Sequence, residues 1–208
     1  MVHYRRHIGC ATLFGVAFAL SPLAAGAADI VTEWGSVKAP PAPQLKPVTV
    51  DSKTTALLVL DFMKNNCGAR PRCVATVPTV KKLIDAARAN GMMISYNLPG
   101  ETPKPQDMVD QSLAPRAGEH LIKNGRGANK FYNSDLEQAL KAKGITTVII
   151  TGTSAQGAVA GSTQGAAERG YKVVVPVDGT AWHLAKGGPV ALVENVTLTR
   201  SDLIKFGN

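Results

Sequence analysis

Residues 148–179 of the chain read VIITGTSAQGAVAGSTQGAAERGYKVVVPVDG. Here an apolar run over residues 146–153 is followed by an Ala/Gly-rich segment over residues 155–169, by Gly170, and by a second apolar run over residues 172–177. Short runs rich in Val and Ile are typical of strands buried on both faces, and the segment between them has the length of a helix. The order strand, helix, strand predicts a parallel pair joined by a closely packed crossover helix.

The same alternation extends through most of the chain. Residues 55–62, TALLVLDF, predict a buried strand with Asp61 at its carboxyl end. A helix is predicted over residues 78–90, because its apolar residues share one face and Gly91 follows. The other predicted elements are strands at residues 92–98, 120–123 and 196–198, a helix opened by the capping box Ser134-x-x-Glu137 and ended by Gly144, and a short apolar segment at residues 189–193. We therefore predict an α/β fold with three layers, α/β/α, around a mostly parallel central sheet.

Ligands of open parallel sheets bind beyond the carboxyl ends of the strands. Three polar features of this sequence fall there, namely Asp61, the loop leading to Lys123, and the turn at residues 151–158. The sequence contains no G-x-G-x-x-G, Walker A, H-E-x-x-H or G-x-S-x-G motif. Nucleotide binding, zinc-protease chemistry and the nucleophile-elbow hydrolases are therefore disfavoured.

The first 27 residues have the three parts of a signal peptide. Arg5 and Arg6 precede an apolar run over residues 8–24, and Ala25-Gly26-Ala27 forms a small-residue cleavage pattern. We expect residues 1–27 to be removed on export, which makes the mature chain periplasmic or secreted, without stable insertion in a membrane. An uncleaved membrane anchor is the alternative, and the shortness of the apolar run disfavours it.

Two further segments follow the signal peptide. Residues 28–53 are rich in proline and predict an extended arm, whereas residues 54–208 form the single predicted domain. The formal net charge is +8, but the basic residues are spread along the chain without a dense run interleaved with aromatics. Nucleic acid is therefore not an expected partner, and a small-molecule substrate is.

Three cysteines occur in the chain, and Cys10 would leave with the signal peptide. Cys67 and Cys73 remain, in the polar segment CGARPRC. In an oxidising compartment an even count predicts a disulfide that closes a small loop, and two reduced thiols are the alternative. A zinc site is disfavoured, since the spacing is wrong and no second cysteine pair exists.

Three segments together resemble the isochorismatase-like superfamily, also called the cysteine hydrolases. They are ALLVLDF at residues 56–62, GEHLIKNGRGANKFYNSDL at residues 118–136, and the segment at residues 148–179 quoted above. The resemblance extends over about residues 54–206. It implies the three-layer α/β/α fold of the isochorismatase-like hydrolases, with a mostly parallel central sheet, and a homo-oligomer.

The resemblance also assigns site residues. The family's catalytic Asp falls on Asp61 and its catalytic Lys on Lys123. The Phe of the family's Phe-x-x-Thr-x-Leu pattern falls on Phe131. About two extra residues separate the Lys from the Phe in this chain, which leaves Lys130 as the alternative lysine. The metal-binding Asp and His residues of the family's nicotinamidases are not evident in this sequence, so we expect neither a metal nor another cofactor.

The family's nucleophilic cysteine falls on Ala158, and the acid before it falls on Gln156. Alanine cannot form a thioester, so amide hydrolysis by the family's Cys–Asp–Lys triad is not expected. The resemblance further implies a cis peptide between Thr153 and Ser154, which would aim the amides of Ser154 and Ala158 at an oxyanion. We therefore expect Ser154, Gln156, Ala158 and Phe131 to contact the substrate.

Two main functions are compatible with this sequence. The first is an exported hydrolase that acts on a small molecule by acid–base chemistry of Asp61 and Lys123, as true isochorismatases hydrolyse a vinyl ether without a cysteine. The second is an inactive periplasmic binding protein that keeps the pocket. A pure scaffold is a third alternative, which charged groups at a crevice disfavour.

Overall fold

The computed structural model describes residues 29, 31–36, 42–98, 104–181 and 196–207. The chain divides into a short unit up to Lys38 and a second unit that begins at Ala39. In the first unit a 3-10 turn spans Trp34–Ser36. The predicted signal peptide and the apolar segment at residues 189–193 lie outside the described residues. No helix among the described residues has both the length and the apolar character needed to cross a bilayer.

The second unit is built on a central sheet whose described strands all pair in parallel. These strands are β2 (Thr55–Leu60), β3 (Met93–Asn97), β4 (His120–Leu121), β5 (Thr147–Thr153), β6 (Lys172–Pro176), β7 (Thr180–Ala181) and β8 (Val196–Thr199). Their order is β4–β3–β2–β5–β6–β8, with β7 beside the end of β5. The predicted parallel α/β sheet is thereby confirmed.

A second, two-stranded parallel sheet joins the two ends of this unit. It consists of β1 (Val48–Asp51) and β9 (Ile204–Gly207), with Val48 opposite Ile204 and Asp51 opposite Gly207. The last part of the Pro-rich arm is therefore a strand of the fold. The sequence analysis described this part only as extended, because its partner strand lies some 150 residues away along the chain.

Helices cover both faces of the central sheet. The described α-helices are α1 (Pro71–Val74), α2 (Val77–Ala89), α3 (Leu136–Ala142) and α4 (Ala160–Ala167). Successive residues of β2 point to opposite faces, so Leu57 and Val59 join the core on the α2 side, while Leu58 and Leu60 join the core on the side of α3 and α4. The three layers predicted from the sequence are therefore present.

Two local predictions differ from the structure. Residues 155–169 are not one helix, because a π-type turn over Ala155–Val159 precedes α4 and Gly157 has non-helical angles of φ −106° and ψ −106°. The capping box at Ser134 is also incomplete. The Ser134 hydroxyl accepts a hydrogen bond from the Leu136 N–H at 3.3 Å, but the Glu137 carboxylate pairs with Lys141 and Arg169.

Candidate active site

Asp61 lies directly after β2 at the carboxyl edge of the sheet and is 7% exposed. Its backbone N–H donates to the Asn97 carbonyl of β3 at 3.2 Å, and the Asn97 side-chain amide donates to Asp61 Oδ1 at 2.5 Å. Asn97 itself is 2% exposed. The last residue of the neighbouring strand therefore fixes both the main chain and one carboxyl oxygen of Asp61.

The second carboxyl oxygen of Asp61 faces a lysine. The Lys130 ammonium nitrogen lies 3.2 Å from Asp61 Oδ2, and the lysine side chain is 3% exposed. The same nitrogen donates to the carbonyls of Gly125 at 3.1 Å and Gly127 at 2.8 Å. An ammonium group has three N–H donors, so these three acceptors satisfy Lys130 completely. The result is a buried ion pair in which every N–H donor of the Lys130 ammonium has an acceptor.

Lys123, the lysine expected beside Asp61, lies elsewhere. It is exposed, its backbone N–H donates to Asp135 Oδ1 at 2.8 Å, and it lines a groove of about 780 Å³ between β4 and α3. The chain turns sharply just after it, because Asn124 has a φ of +58° and Gly125 passes against the Asn97 side chain, where a Cβ would collide with Oδ1. The expectation that Lys123 pairs with Asp61 was wrong, and the alternative lysine makes the pair.

The loop that carries Lys130 is held by the small residues of α4. An ideal Cβ at Gly161 would lie 2.7 Å from the carbonyl carbon of Ala128. The Ser162 hydroxyl accepts a hydrogen bond from the Lys130 N–H and donates one to the Ala128 carbonyl, both at 3.2 Å. The Ala/Gly-rich composition of this helix, predicted to allow close packing, therefore helps to set the position of Lys130.

Burial raises the pKa of the Asp61 carboxyl above its ordinary value. The charge of Lys130, the hydrogen bond from Asn97 and the more distant charge of Arg70 act in the opposite direction on the same pKa. At 3.2 Å the attraction to Lys130 is of order 5 kcal/mol for an effective dielectric constant near 20, whereas desolvation costs several kcal/mol for each ion. A carboxyl group balanced in this way can both donate and accept a proton.

The turn after β5 forms the neighbouring part of the same edge. Leu60 of β2 lies opposite Gly152 of β5, which places Asp61 next to Thr153. The peptide between Thr153 and Ser154 is cis, as the resemblance implied. Ser154 is partly buried, and its carbonyl accepts hydrogen bonds from the Gly157 and Val159 amides. The predicted site residues of this turn therefore follow the carboxyl end of β5, the strand that pairs with β2.

Ala158 and Gln156 occupy the π-type turn itself. Ala158 is 6% exposed and belongs to the apolar core on the α4 side. The Gln156 side chain is partly buried, and neither its amide nitrogen nor its amide oxygen has a hydrogen-bond partner among the described residues. A buried amide without partners costs about 1–3 kcal/mol. This makes Gln156 a group that a ligand or water could satisfy.

Phe131, also expected to contact substrate, packs into the core. It is 3% exposed, its ring centroid lies 5.8 Å from that of Tyr171, and the Arg169 guanidinium lies 5.4 Å from the ring. These contacts hold Phe131 between α4 and the sheet. The residue thus anchors the main chain directly after Lys130.

The predicted disulfide between Cys67 and Cys73 is confirmed, and both cysteines are fully buried. No thiol remains among the residues that the structure describes, and Cys10 lies outside them. Those residues also contain no cluster of three His, Cys, Asp or Glu side chains able to hold a metal ion.

Arg70, which lies within the disulfide loop, was not among the site residues predicted from the sequence. Its side chain is exposed, and its Nη1 donates to the Thr153 hydroxyl at 3.4 Å. The sequence did contain a signal, because Arg70 lies in a loop closed by a predicted disulfide. That loop begins at Cys67, six residues after Asp61.

Comparison with known proteins identifies a family. Residues 55–187 match the model of the isochorismatase domain. Over 132 residues the chain is 28% identical to N-carbamoylsarcosine amidase of Arthrobacter, and over 147 residues it is 29% identical to maleamate amidohydrolase of Pseudomonas putida. These alignments cover 51% and 58% of this chain, and they span 49% and 68% of the respective relatives.

Solved structures share the fold. A cysteine hydrolase from Pseudomonas syringae pv. phaseolicola superimposes with a TM-score of 0.63 at 20% identity, covering 77% of this chain and 94% of that one. N-carbamoylsarcosine amidase from Thermoplasma acidophilum superimposes with a TM-score of 0.62 at 26% identity, covering 72% and 97%. The first likeness, at its low identity, establishes the architecture alone.

The buried ion pair predicts strongly non-additive stabilities. Asp61→Asn and Lys130→Met should each lower the free energy of unfolding by about 3–5 kcal/mol, because each leaves its partner buried without a counter-charge. The double variant should lose less than the sum of the two by about 1–3 kcal/mol, measured by urea unfolding at neutral pH. The exposed pair Lys81 and Asp85, at 2.5 Å, is the control, and its coupling should stay below about 0.5 kcal/mol. Additive losses at Asp61 and Lys130 would contradict the pairing.

Gly161→Ala tests how tightly α4 holds the lysine loop. Replacing glycine by alanine inside a helix ordinarily stabilises a protein by about 0.5–1 kcal/mol. Here the new methyl would meet the Ala128 main chain, so we expect the free energy of unfolding to fall instead. Adding Ala128→Gly should not rescue it, since the closest atom is a backbone carbon. A gain in stability on thermal unfolding would show that the loop can move away without cost.

Proposed function

This chain belongs to the isochorismatase family, and on that basis we propose that it hydrolyses a small molecule by proton transfer at Asp61, without a covalent enzyme intermediate. The observation that carries the proposal is the buried Asp61–Lys130 pair at the carboxyl edge of the sheet. Perturbed carboxyl groups at such edges are typical of catalytic acids and bases.

The lack of a free thiol among the described residues favours water as the attacking group. Both described cysteines are joined in the disulfide, and Ala158 stands in the turn where the family resemblance places the nucleophile. Alanine offers no atom that could form an acyl-enzyme. The attacking group must therefore be a water molecule, and the protein must supply the proton transfers.

An enol ether suits this machinery. Protonated Asp61 would donate its proton to the terminal carbon of the C=C bond, which leaves an oxocarbenium ion and the Asp61 carboxylate. Water then adds to the cationic carbon and gives up a proton to the carboxylate, which restores the acid. The resulting hemiketal breaks its C–O bond to release a ketone and an alcohol. No thioester is needed at any step.

Lys130 acts in this scheme as a positioning residue. Its three N–H donors are engaged by Asp61, Gly125 and Gly127, so none is left to transfer to a substrate. Its charge opposes the effect of burial on the pKa of Asp61. Without that charge the carboxyl would stay protonated and could not recover a proton from water.

We extend the proposal to the compartment. The signal-peptide pattern of residues 1–27 and the Cys67–Cys73 disulfide both support export to an oxidising space such as the periplasm. The two features are independent, since one is a targeting pattern and the other is a covalent bond within the fold.

A binding protein without turnover is the second candidate. Ala158 favours it, because the position that the resemblance assigns to the nucleophile holds only a methyl group. The Gln156 amide, which lacks partners among the described residues, would then serve to hold the ligand.

A turnover screen separates the two candidates. Wild type and Asp61→Asn are assayed against an enol ether, an amide, an ester and a urea, with product detected by mass spectrometry. We expect turnover of the enol ether, reduced by about 10²–10⁴-fold in Asp61→Asn because the proton donor is lost. Lys123→Met should keep the wild-type rate, whereas Lys130→Met should not. Equal background rates for wild type and Asp61→Asn on all four classes would leave the binding protein as the answer.

The pH dependence should identify Asp61 as an acid rather than a base. The protonated carboxyl is the active form in the scheme, so kcat should fall as the pH rises through the pKa of Asp61. Because burial raises that pKa, the fall should occur above the range of an ordinary aspartate. A rate that increases over the same interval would assign Asp61 as a general base and exclude the enol-ether mechanism.

A further inference from the structure

We propose that Arg70 is the substrate-recognition residue of this site, that it binds a carboxylate of the substrate, and that the Cys67–Cys73 loop holds it in place. The proposal rests on the proposed function, because the carboxylate would belong to the molecule on which Asp61 acts. It adds a substrate class, namely small molecules with a negative charge.

The hydrogen bond of Arg70 to Thr153 places its guanidinium at the same carboxyl edge of the sheet as Asp61. Its Nη1 donates to the hydroxyl of Thr153, which is the last residue of β5 and precedes the cis peptide to Ser154. Thr153 follows Gly152, the residue opposite Leu60, so it lies beside Asp61. The positive charge of Arg70 also acts on Asp61 and lowers its pKa. The guanidinium therefore lies near the reacting carboxyl without pairing with it.

Arg70 retains the capacity to bind a ligand. A guanidinium has five N–H donors, and its one hydrogen bond to the described residues uses a single donor at 3.4 Å. The ion pairs formed among those residues do not include Arg70. Lys130 differs in this respect, because protein oxygens accept from all three of its N–H donors. Among the described residues near Asp61, Arg70 is thus a cation with donors left for a ligand.

The loop fixes the main chain of Arg70 on both sides. Its N–H donates to the Cys67 carbonyl at 2.9 Å, and its carbonyl accepts from the N–H groups of Cys73 at 2.8 Å and Val74 at 3.1 Å. Pro71 follows and begins α1, which restricts the backbone further. The disulfide joins Cys67 and Cys73, which lie six residues apart on either side of Arg70, and both cysteines are buried in the core. An exposed side chain thereby receives a rigid base, which lowers the entropic cost of binding.

A carboxylate is the ligand group that fits best. A guanidinium presents parallel N–H donors that match the two oxygens of a carboxylate, and such bidentate pairs are stronger than bonds between neutral groups. Among the described groups that act on Asp61, the positive charges of Lys130 and Arg70 outnumber the one negative charge of Asp61, which favours an anionic ligand. Protonation of Asp61, which the proposed mechanism requires, would increase that attraction.

Calorimetric titration tests the proposal without depending on turnover. The probes are succinate and its neutral diamide, titrated into wild type, Arg70→Gln and Arg70→Lys at low salt. We expect the wild type to bind succinate more tightly than the diamide, and Arg70→Gln to bind succinate at least about tenfold more weakly than the wild type. The affinity of Arg70→Lys should fall between the two, because lysine keeps the positive charge but lacks the paired N–H donors of the guanidinium. Binding of the diamide should not change.

Arg116→Gln is the matched control. Arg116 is an exposed arginine in the loop before β4, on the opposite edge of the sheet, and its loss should leave succinate binding unchanged. A Cys67→Ser/Cys73→Ser variant, checked for its melting transition, should weaken succinate binding while Arg70 is still present. If that variant does not fold, Arg70→Gln still decides the question, since an exposed side chain is not needed for folding.

Two results would overturn the proposal. One is equal affinity of wild type and Arg70→Gln for succinate, and the other is a wild type with no preference for succinate over the diamide. Neither result bears on the role of Asp61, whose failure would appear as unchanged turnover in Asp61→Asn. The two proposals can therefore fail separately.

Discussion

The buried ion pair between Asp61 and Lys130 is the interaction on which this site depends. It needs three separate parts of the fold to coincide. Strand β2 delivers the acid, β3 fixes it through Asn97, and the loop seated on α4 delivers the lysine. The close approach of that loop to the helix requires glycine at position 161. A pair of charges that is nearly inaccessible to water is costly unless every donor finds an acceptor, and Lys130 meets that condition.

The same pair is the basis of the proton transfer that we propose for a site without a described thiol. Burial alone would keep Asp61 protonated, and a neighbouring ammonium alone would keep it ionised. The two influences oppose each other here, with burial the larger, so the carboxyl can cycle between both forms. Arg70 then has a different task from Lys130. The Lys130 ammonium binds protein oxygens and opposes the effect of burial on Asp61, whereas we propose that the Arg70 guanidinium binds a ligand.

Most of the architecture could be predicted from the sequence, because it depends on local patterns. The apolar run before Asp61, the shared apolar face of α2 and the Ala/Gly-rich segment of α4 each identify one element. The disulfide also followed from two cysteines in a short polar loop. The lysine could not be assigned in this way. The turn at Asn124 and the packing of the following loop decide which lysine reaches Asp61. That loop contacts Asn97 of β3 and Gly161 of α4, and such contacts between residues distant in the chain cannot be deduced from local patterns. The strand β1 escaped prediction for the same reason, since its partner lies at the other end of the domain.

The most direct test of the account is the carboxyl carbon chemical shift of Asp61, followed by NMR as a function of pH in wild type and in Lys130→Met. The account predicts that Asp61 of the wild type titrates above the range of an ordinary aspartate, and that its pKa rises further when the ammonium is removed. An Asp61 that titrates like a solvent-exposed aspartate, with the same pKa in both proteins, would contradict the buried pair and the chemistry built on it.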